Sequence, residues 1–323
     1  MNLRARALML VSVLLGAPAL LAMACSSGQA VECHVGADCA SGACDVSGKC
    51  VSASSIDSGV AVKDSGSLGD GAQPEGAPSF DSSAFDAPVP GCTPNNDGMI
   101  TSAEVPLVAG LHATFRIAEN VPVSTAGTMQ PDGSRVWDLT AALSGDHDVL
   151  VETLSPIGAW YASSFANATY ATPLSDTSTL LGVFQANTSA VLLQGVVSPT
   201  SASPQTELTY APAVPSLKFP LKLNDTWQTM STVTGTASGI QSVYTEAYTT
   251  TVDATGQLKT PYGAFAVMRV HTVLTRTIGV VVTITRSDAF VAECFGPIAS
   301  IVSTTDETND EFTNAAEVRR LAP

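Results

Sequence analysis

The chain has little charge, and most of it is of one sign. Only 13% of its 323 residues are Asp, Glu, Lys or Arg, and 14 basic residues face 29 acidic ones, a formal net charge of −15. A phosphate backbone is gripped by clustered Lys and Arg. Here the basic residues are scattered, which argues against nucleic acid as a partner. The same sign argues against electrostatic adhesion to anionic lipid. Local enzyme signatures are missing too: there is no G-x-S-x-G, no H-E-x-x-H and no P-loop. The local signals for serine hydrolases, zinc peptidases and nucleotide hydrolases are therefore absent. Past the N-terminal region, no apolar run approaches the roughly 20 residues that a membrane-spanning helix needs.

The N-terminal region itself has a recognisable order. Arg4 and Arg6 precede an apolar stretch, 8–15, broken only by Ser12; Gly16, Pro18 and small residues then lead to Cys25. This is the pattern of a secretory signal, and Gly16 and Pro18 argue against an uncleaved spanning helix. The run Leu20-Leu21-Ala22-Met23-Ala24-Cys25 resembles the lipobox of bacterial lipoproteins. That family favours Leu three positions before the cysteine; here Ala22 stands there, with Leu21 one step earlier. The resemblance implies a signal peptide over 1–24, cleavage before Cys25 and lipid on that cysteine. It implies an extracytoplasmic protein tethered in the cell envelope by its lipid, at the outer membrane.

Cysteine usage agrees with export. There are seven cysteines; with Cys25 set aside, an even number remains, which in an exported chain reads as disulfides. Cys33, Cys39, Cys44 and Cys50 fall in a C-x5-C-x4-C-x5-C pattern with Gly36, Gly42 and Gly48 between them. A segment this short cannot bury a core, so crosslinks must hold it. No spacing is C-x-x-C, and His34 alone does not complete a zinc site. The segment CHVGADCASGACDVSGKC resembles small four-cysteine modules of bacterial envelope lipoproteins. Cys92 and Cys294 are left for each other; the alternative is Cys92 paired into the knot and Cys294 a free thiol.

Residues 51–91 read as a disordered linker. Ser, Gly, Asp, Ala and Pro dominate, Phe80 and Phe85 are the only aromatics, and six acidic residues face Lys63 alone. Such a composition cannot offset its ordering entropy. A coil of this length spans about 35 Å, enough to hold the next domain off a membrane.

The folded domain, 92–323, opens with CTPNNDGMITSAEVP. With Gly98 at the sixth position of an EF-hand loop, Asn95, Asp97, Met99 and Glu104 become calcium candidates. Thr93 stands where the first Asp should be, and Pro94 and Pro106 disfavour flanking helices. The same residues also read as an Asp97-Gly98 turn followed by a capping box from Thr101 to Glu104. No other cofactor is suggested.

Beyond Thr114 the pattern is that of strands, with abundant Thr and Val, recurrent turn residues and no long 3.6-residue period. Strands are expected over 114–121, 135–140, 149–154, 179–185 and 190–198, with 199–206 a loop that divides the sheet into halves. In the second half, Tyr244, Glu246, Tyr248, Thr250 and Val252 should share one face. Residues 253–256 read as a turn, and Thr260-Pro261-Tyr262-Gly263 as a second. A long strand over 265–276 carries Met268, Val270, Thr272 and Leu274 on one side. A returning strand should turn Val280, Val282 and Ile284 inward, and residues 306–311 read as a solvated acidic tail.

Within this half, Phe219-Pro220-Leu221, Trp227, GQLKTPYGAF from Gly256 and Phe295-Gly296-Pro297-Ile298-Ala299 resemble a pattern of uncharacterised bacterial envelope proteins. The likeness covers 206–304 and implies a strongly curved antiparallel sheet, similar to the half-barrel of periplasmic lipoprotein carriers. The expected fold class is thus mainly β, a curved antiparallel sheet or half-barrel after a disulfide knot and linker.

Two placements of chemistry are open. Asp146-His147-Asp148 reads as a metal trio or, after Gly145, as a polar turn. His271, Arg269, Arg276 and Arg286 form a basic patch inside a concave sheet, or a solvated outer face paired with Glu246 or Glu293. Asn167 and Asn187 begin glycosylation sequons, which carry little meaning in a bacterial lipoprotein. The expected function is a non-enzymatic tethered β domain that binds or supports something, an apolar ligand or lipid being one occupant; the protein partner is unspecified. The alternative is an extracytoplasmic hydrolase whose active site assembles only in three dimensions. If Cys25 carries the lipid, Cys25→Ala should move the protein from the membrane to the soluble fraction on cell fractionation; unchanged membrane retention would disprove the anchor.

Overall fold

The structure is a computed structural model that describes residues 92–323. The expected signal peptide, Cys25, the four cysteines from Cys33 to Cys50 and the linker lie outside the described residues. The strands, in chain order, are β1 (Met99–Ile100), β2 (His112–Pro122), β3 (Thr128–Met129), β4 (Arg135–Asp138), β5 (His147–Glu152) and β6 (Tyr170–Pro173). They continue with β7 (Leu181–Ala186), β8 (Ala190–Val197), β9 (Glu207–Lys218), β10 (Leu221–Lys222) and β11 (Thr226–Ala237). The last five are β12 (Ile240–Lys259), β13 (Ala264–Ile278), β14 (Val281–Ala292), β15 (Gly296–Ser303) and β16 (Asn314–Leu321). The one helical element among the described residues is a 3-10 turn, Ser102–Glu104, so no described helix is long enough to cross a membrane.

The strands form one main sheet in the order β5-β2-β16-β15-β14-β13-β12-β11-β9-β8-β7-β6, and every neighbouring pair on this path is antiparallel. The two ends meet just beyond β5. Leu154 and Ala171 exchange both backbone hydrogen bonds, at 2.7 and 2.9 Å, so the curved sheet is nearly closed. β16, the last strand, lies between β15 and β2. β4 adds a parallel pairing against the end of β12, and β1 pairs with β10.

Strand alternation sets what lies on each face. On the concave face Trp227, Val252, Met268, Val270 and Val291 cluster with Tyr170, Val191 and Leu217 from the far side. Ile100 and Val105, from the segment that precedes β2, pack into the same cluster. The convex face is covered in two places. The excursion 123–146 lays Trp137 and Leu139 on Phe290, Ile301, Phe312 and Val318. The loop between β5 and β6 lays Tyr161 and Phe165 on Val183 and Val197. Trp137 is 1% exposed, its Nε1 donates to the Thr125 carbonyl at 2.8 Å, and its ring meets Phe290 edge-on at 5.0 Å.

Several expectations are corrected. Residues 253–256 are not a turn: β12 runs through them, and Asp253 is a bulge residue at the register shift between Val252 and Ala254. Gly256 serves a close approach instead. A Cβ there would lie 1.8 Å from the Arg135 carbonyl oxygen, so glycine lets β4 pair with β12. Residues 199–206 do not divide the sheet, because β8 and β9 on either side pair directly. Val282 and Ile284 oppose Thr277 and Thr275, which puts them on the convex face, and Val280 is a 98% exposed tip residue. Residues 306–311 are not a tail; they lead into β16, and Glu311 joins a charge network described below. Thr260–Gly263 is a turn as expected, with N–H···O bonds in both directions at 2.8 and 3.2 Å.

Cys92 and Cys294 are disulfide-bonded, with Cα atoms 5.7 Å apart. Cys294 lies in the β14–β15 turn, and its N–H donates to the Glu104 carbonyl at 2.7 Å. The bond therefore pins the entry segment at the mouth that Ile100 and Val105 fill. It closes a loop of 202 residues, for which the chain-entropy model gives roughly 5 kcal/mol as an upper figure. Reduction, or Cys294→Ala, should lower the thermal midpoint and make residues 92–111 the first site of limited proteolysis within 92–323; an unchanged midpoint would remove the bond's structural role.

Candidate functional site

A cavity of about 330 Å³ lies on the concave side, at the low end of the volumes that hold small ligands. Its wall is drawn from both flanks of the sheet: Phe115 of β2, Val151 of β5, Tyr170 of β6, Phe184 of β7, Val191 of β8 and Leu217 of β9. Ala289, Ile298 and Leu321 close the other side, and Leu107 and Leu111 of the entry segment floor it. The entry segment and strands from both flanks of the sheet thus line one half-open cavity. Tyr170 and Phe184 stack at 5.2 Å within the wall. Burial pushes the Tyr170 phenol well up, so it stays uncharged.

Polar side chains interrupt this wall, among them His112, Thr153, Thr172 and Ser216, and at one place two of them stand side by side. Ser300 and Arg319 are register partners on β15 and β16, and both line the cavity. Nε of Arg319 donates to Glu317 at 2.5 Å, and the other Glu317 oxygen accepts the Asp176 N–H at 2.8 Å. Asp176 in turn faces His147 Nε2 at 2.7 Å. The Gly145 carbonyl and the Asp176 carboxylate hold His147 above its usual range. Asp146 and Asp148 point away from it: Asp148 binds Arg116 at 2.8 Å and Asp146 binds Arg320 on the convex side. The 146–148 trio is therefore split across the strand.

The expected basic patch is also split. Arg276 lies on the concave face, where its Nε donates to the fully buried Glu246 at 2.6 Å and Tyr248 donates to the same carboxylate. Arg269 and His271 lie on the convex face. Arg269 donates to Asp253 at 2.9 and 2.6 Å, to Glu311 at 2.9 and 2.8 Å and to the Thr125 carbonyl at 2.7 Å. Arg135 joins Glu311 at 2.8 Å. Arg286 pairs with Asp310 at 3.1 Å. Glu293 partners none of these; it accepts the N–H groups of Asn95 and Asn96 at 2.6 and 3.0 Å.

His271 Nδ1 lies 2.7 Å from Asp288, a fully buried carboxylate. Burial lowers the imidazole pKa, but Asp288 and Asp253 outweigh it, and His271 sits above its ordinary value. A His–carboxylate pair is two thirds of a hydrolytic triad. Nε2 of His271 has no hydrogen-bond partner among the described residues, and Asp310 at 4.0 Å is the charged group nearby. Among the described residues no hydroxyl or thiol lies within hydrogen-bond distance of that nitrogen.

The calcium candidates Asn95, Asp97, Met99 and Glu104 do come together, but bonded to one another. Asn95 Nδ2 donates to Glu104 at 3.0 Å, and the Asp97 and Met99 N–H groups are taken by Asn95 and Asp97, each at 2.9 Å. Glu104 also accepts from the Thr101 N–H and hydroxyl, completing the capping box. Among the described residues no group of three His, Cys, Asp or Glu is arranged to hold a metal.

Sequence reasoning missed Arg319, Ser300 and Glu317. β16 alternates Glu317, Arg319 and Leu321 inward with Val318 and Arg320 outward, and both faces are buried, so no hydropathy alternation marks it. Glu311 was legible only as an acid. Burial raises its pKa, but Arg269, Thr125 and Arg135 draw it down to about 2, from 4.5. Because the folded value is depressed, its stabilisation is full above about pH 4.5 and is lost as pH falls from there through about 2. Glu311→Gln should therefore lower the thermal midpoint at neutral pH and flatten its decline across that window. A parallel decline in both proteins would remove the assignment.

No family model, curated protein or solved structure matches the chain.

Proposed function

We propose that this protein is a non-enzymatic envelope lipoprotein, tethered through Cys25 and holding an apolar ligand in the cavity of its curved sheet. The observation that carries the reading is the cavity itself. It is lined by strands from both flanks, and Leu, Val, Phe and Ala side chains form most of its wall. An apolar space left open forfeits dispersion contacts that a close-packed interior would make. A ligand tail would supply them. The His271–Asp288 pair supports the hydrolase reading less well, because it lies on the opposite face from the cavity and lacks a nucleophile.

The test is binding of an environment-sensitive apolar dye to the purified full chain. Ala113 and Ala289 line the cavity and are small. Ala289→Phe should fill it and reduce dye affinity at least about tenfold, at a stability cost of about 1–3 kcal/mol that leaves the fold intact by circular dichroism. Ala113→Phe should do the same from the other flank. Undiminished dye binding in both folded variants would place the dye elsewhere and defeat the reading.

A further inference from the structure

The polar notch in the cavity wall narrows the ligand class. Arg319 donates through Nε to Glu317, and its Nη1 and Nη2 make no hydrogen bond to any described residue. Its side chain is only 13% exposed and lines the cavity. The Ser300 hydroxyl beside it likewise has no side-chain hydrogen bond among the described residues, while Ser216, another lining hydroxyl, is already spent on the Val191 carbonyl at 3.0 Å. Two donors thus stand adjacent on the cavity wall with no protein acceptor among the described residues, placed to donate to one ligand oxygen.

What accepts is limited by charge. The Arg319 cation is already matched by Glu317 at 2.5 Å. A carboxylate head would bring a second anion beside Glu317, and like charges in one site raise one another's cost. An uncharged carbonyl oxygen takes both donors without that penalty. We propose that the cavity selects an acyl chain ending in an uncharged ester or amide carbonyl, with the oxygen held by Arg319 and Ser300. This rests on the reading of the cavity as a ligand site and adds the head group to it. An ester lipid and an N-acylated peptide share this chemistry.

Displacement of an apolar dye from the full chain by methyl dodecanoate, N-methyldodecanamide, dodecanoate and dodecane tests both levels. At neutral pH the ester or the amide should displace about tenfold more tightly than dodecane or dodecanoate, the scale of one good hydrogen bond to a charged donor. The tighter of the two identifies the source. Arg319→Met should erase the preference and leave dodecane unchanged. Ser300→Ala, which disturbs no ion pair, should weaken the ester and amide several-fold and keeps the test valid if Arg319→Met does not fold. Equal binding of all four probes would overturn the head-group assignment while leaving the cavity reading in place. Tightest binding by dodecanoate would overturn the uncharged head. Failure of every probe to displace cavity-bound dye would overturn both.

Discussion

Every strand edge in this protein needs a hydrogen-bonding partner, and meeting that need shapes the domain. An open sheet of this many strands would leave two rows of unpaired N–H and C=O groups. Here curvature brings the flanks together, and Leu154 bonds to Ala171 across the seam. β16 closes the other gap by pairing with both β15 and β2. The cavity follows from this closure, because its wall combines residues from β2 and β5 with residues from β6 to β9.

The two faces then divide the labour. The convex face carries most of the structural electrostatics: Arg269 bridges Asp253 and Glu311, and Arg320 is held by Asp146 and the carbonyls of Leu139 and Ala141. These pairs fasten the loop after β15 and the excursion between β2 and β5 onto the sheet. The concave face holds one closed polar network, around Glu246, and one open polar notch, at Arg319. In the first, the carboxylate is bonded by Tyr248 and Arg276, so nothing is left over. In the second, donors remain.

The entry segment is the third part. Residues that look like a calcium loop are fastened against the sheet, with Ile100 packed into its core. Asn95, Asp97 and Glu104 bind their own backbone and one another, Glu293 holds the loop from the sheet, and the disulfide locks it. The sequence pattern was ambiguous because carboxylates that cap turns and carboxylates that ligate calcium occupy the same short spacings.

Much of the fold was legible in the chain alone. Alternation in β12 and β13 is strong because one face of each meets an apolar core, so Val252 and Met268 declare their side. Parity left two readings for Cys92 and Cys294, a mutual bond or Cys92 paired into the knot, and the folded domain has the mutual bond. The strands β2, β5, β7 and β8 were found within a few residues of their bounds. What the sequence could not supply was anything that depends on a partner distant in the chain. Asp253 reads as a turn residue until Arg269 is placed against it, and Gly256 until β4 crosses it. The acids at 306–311 read as a tail until Arg269 and Arg286 claim two of them. Arg319 is one scattered cation among few, and only the register of β15 against β16 sets it beside Ser300 in the cavity wall. Local propensity depends on neighbours in sequence, whereas the site depends on closure of the sheet, and closure is a tertiary event.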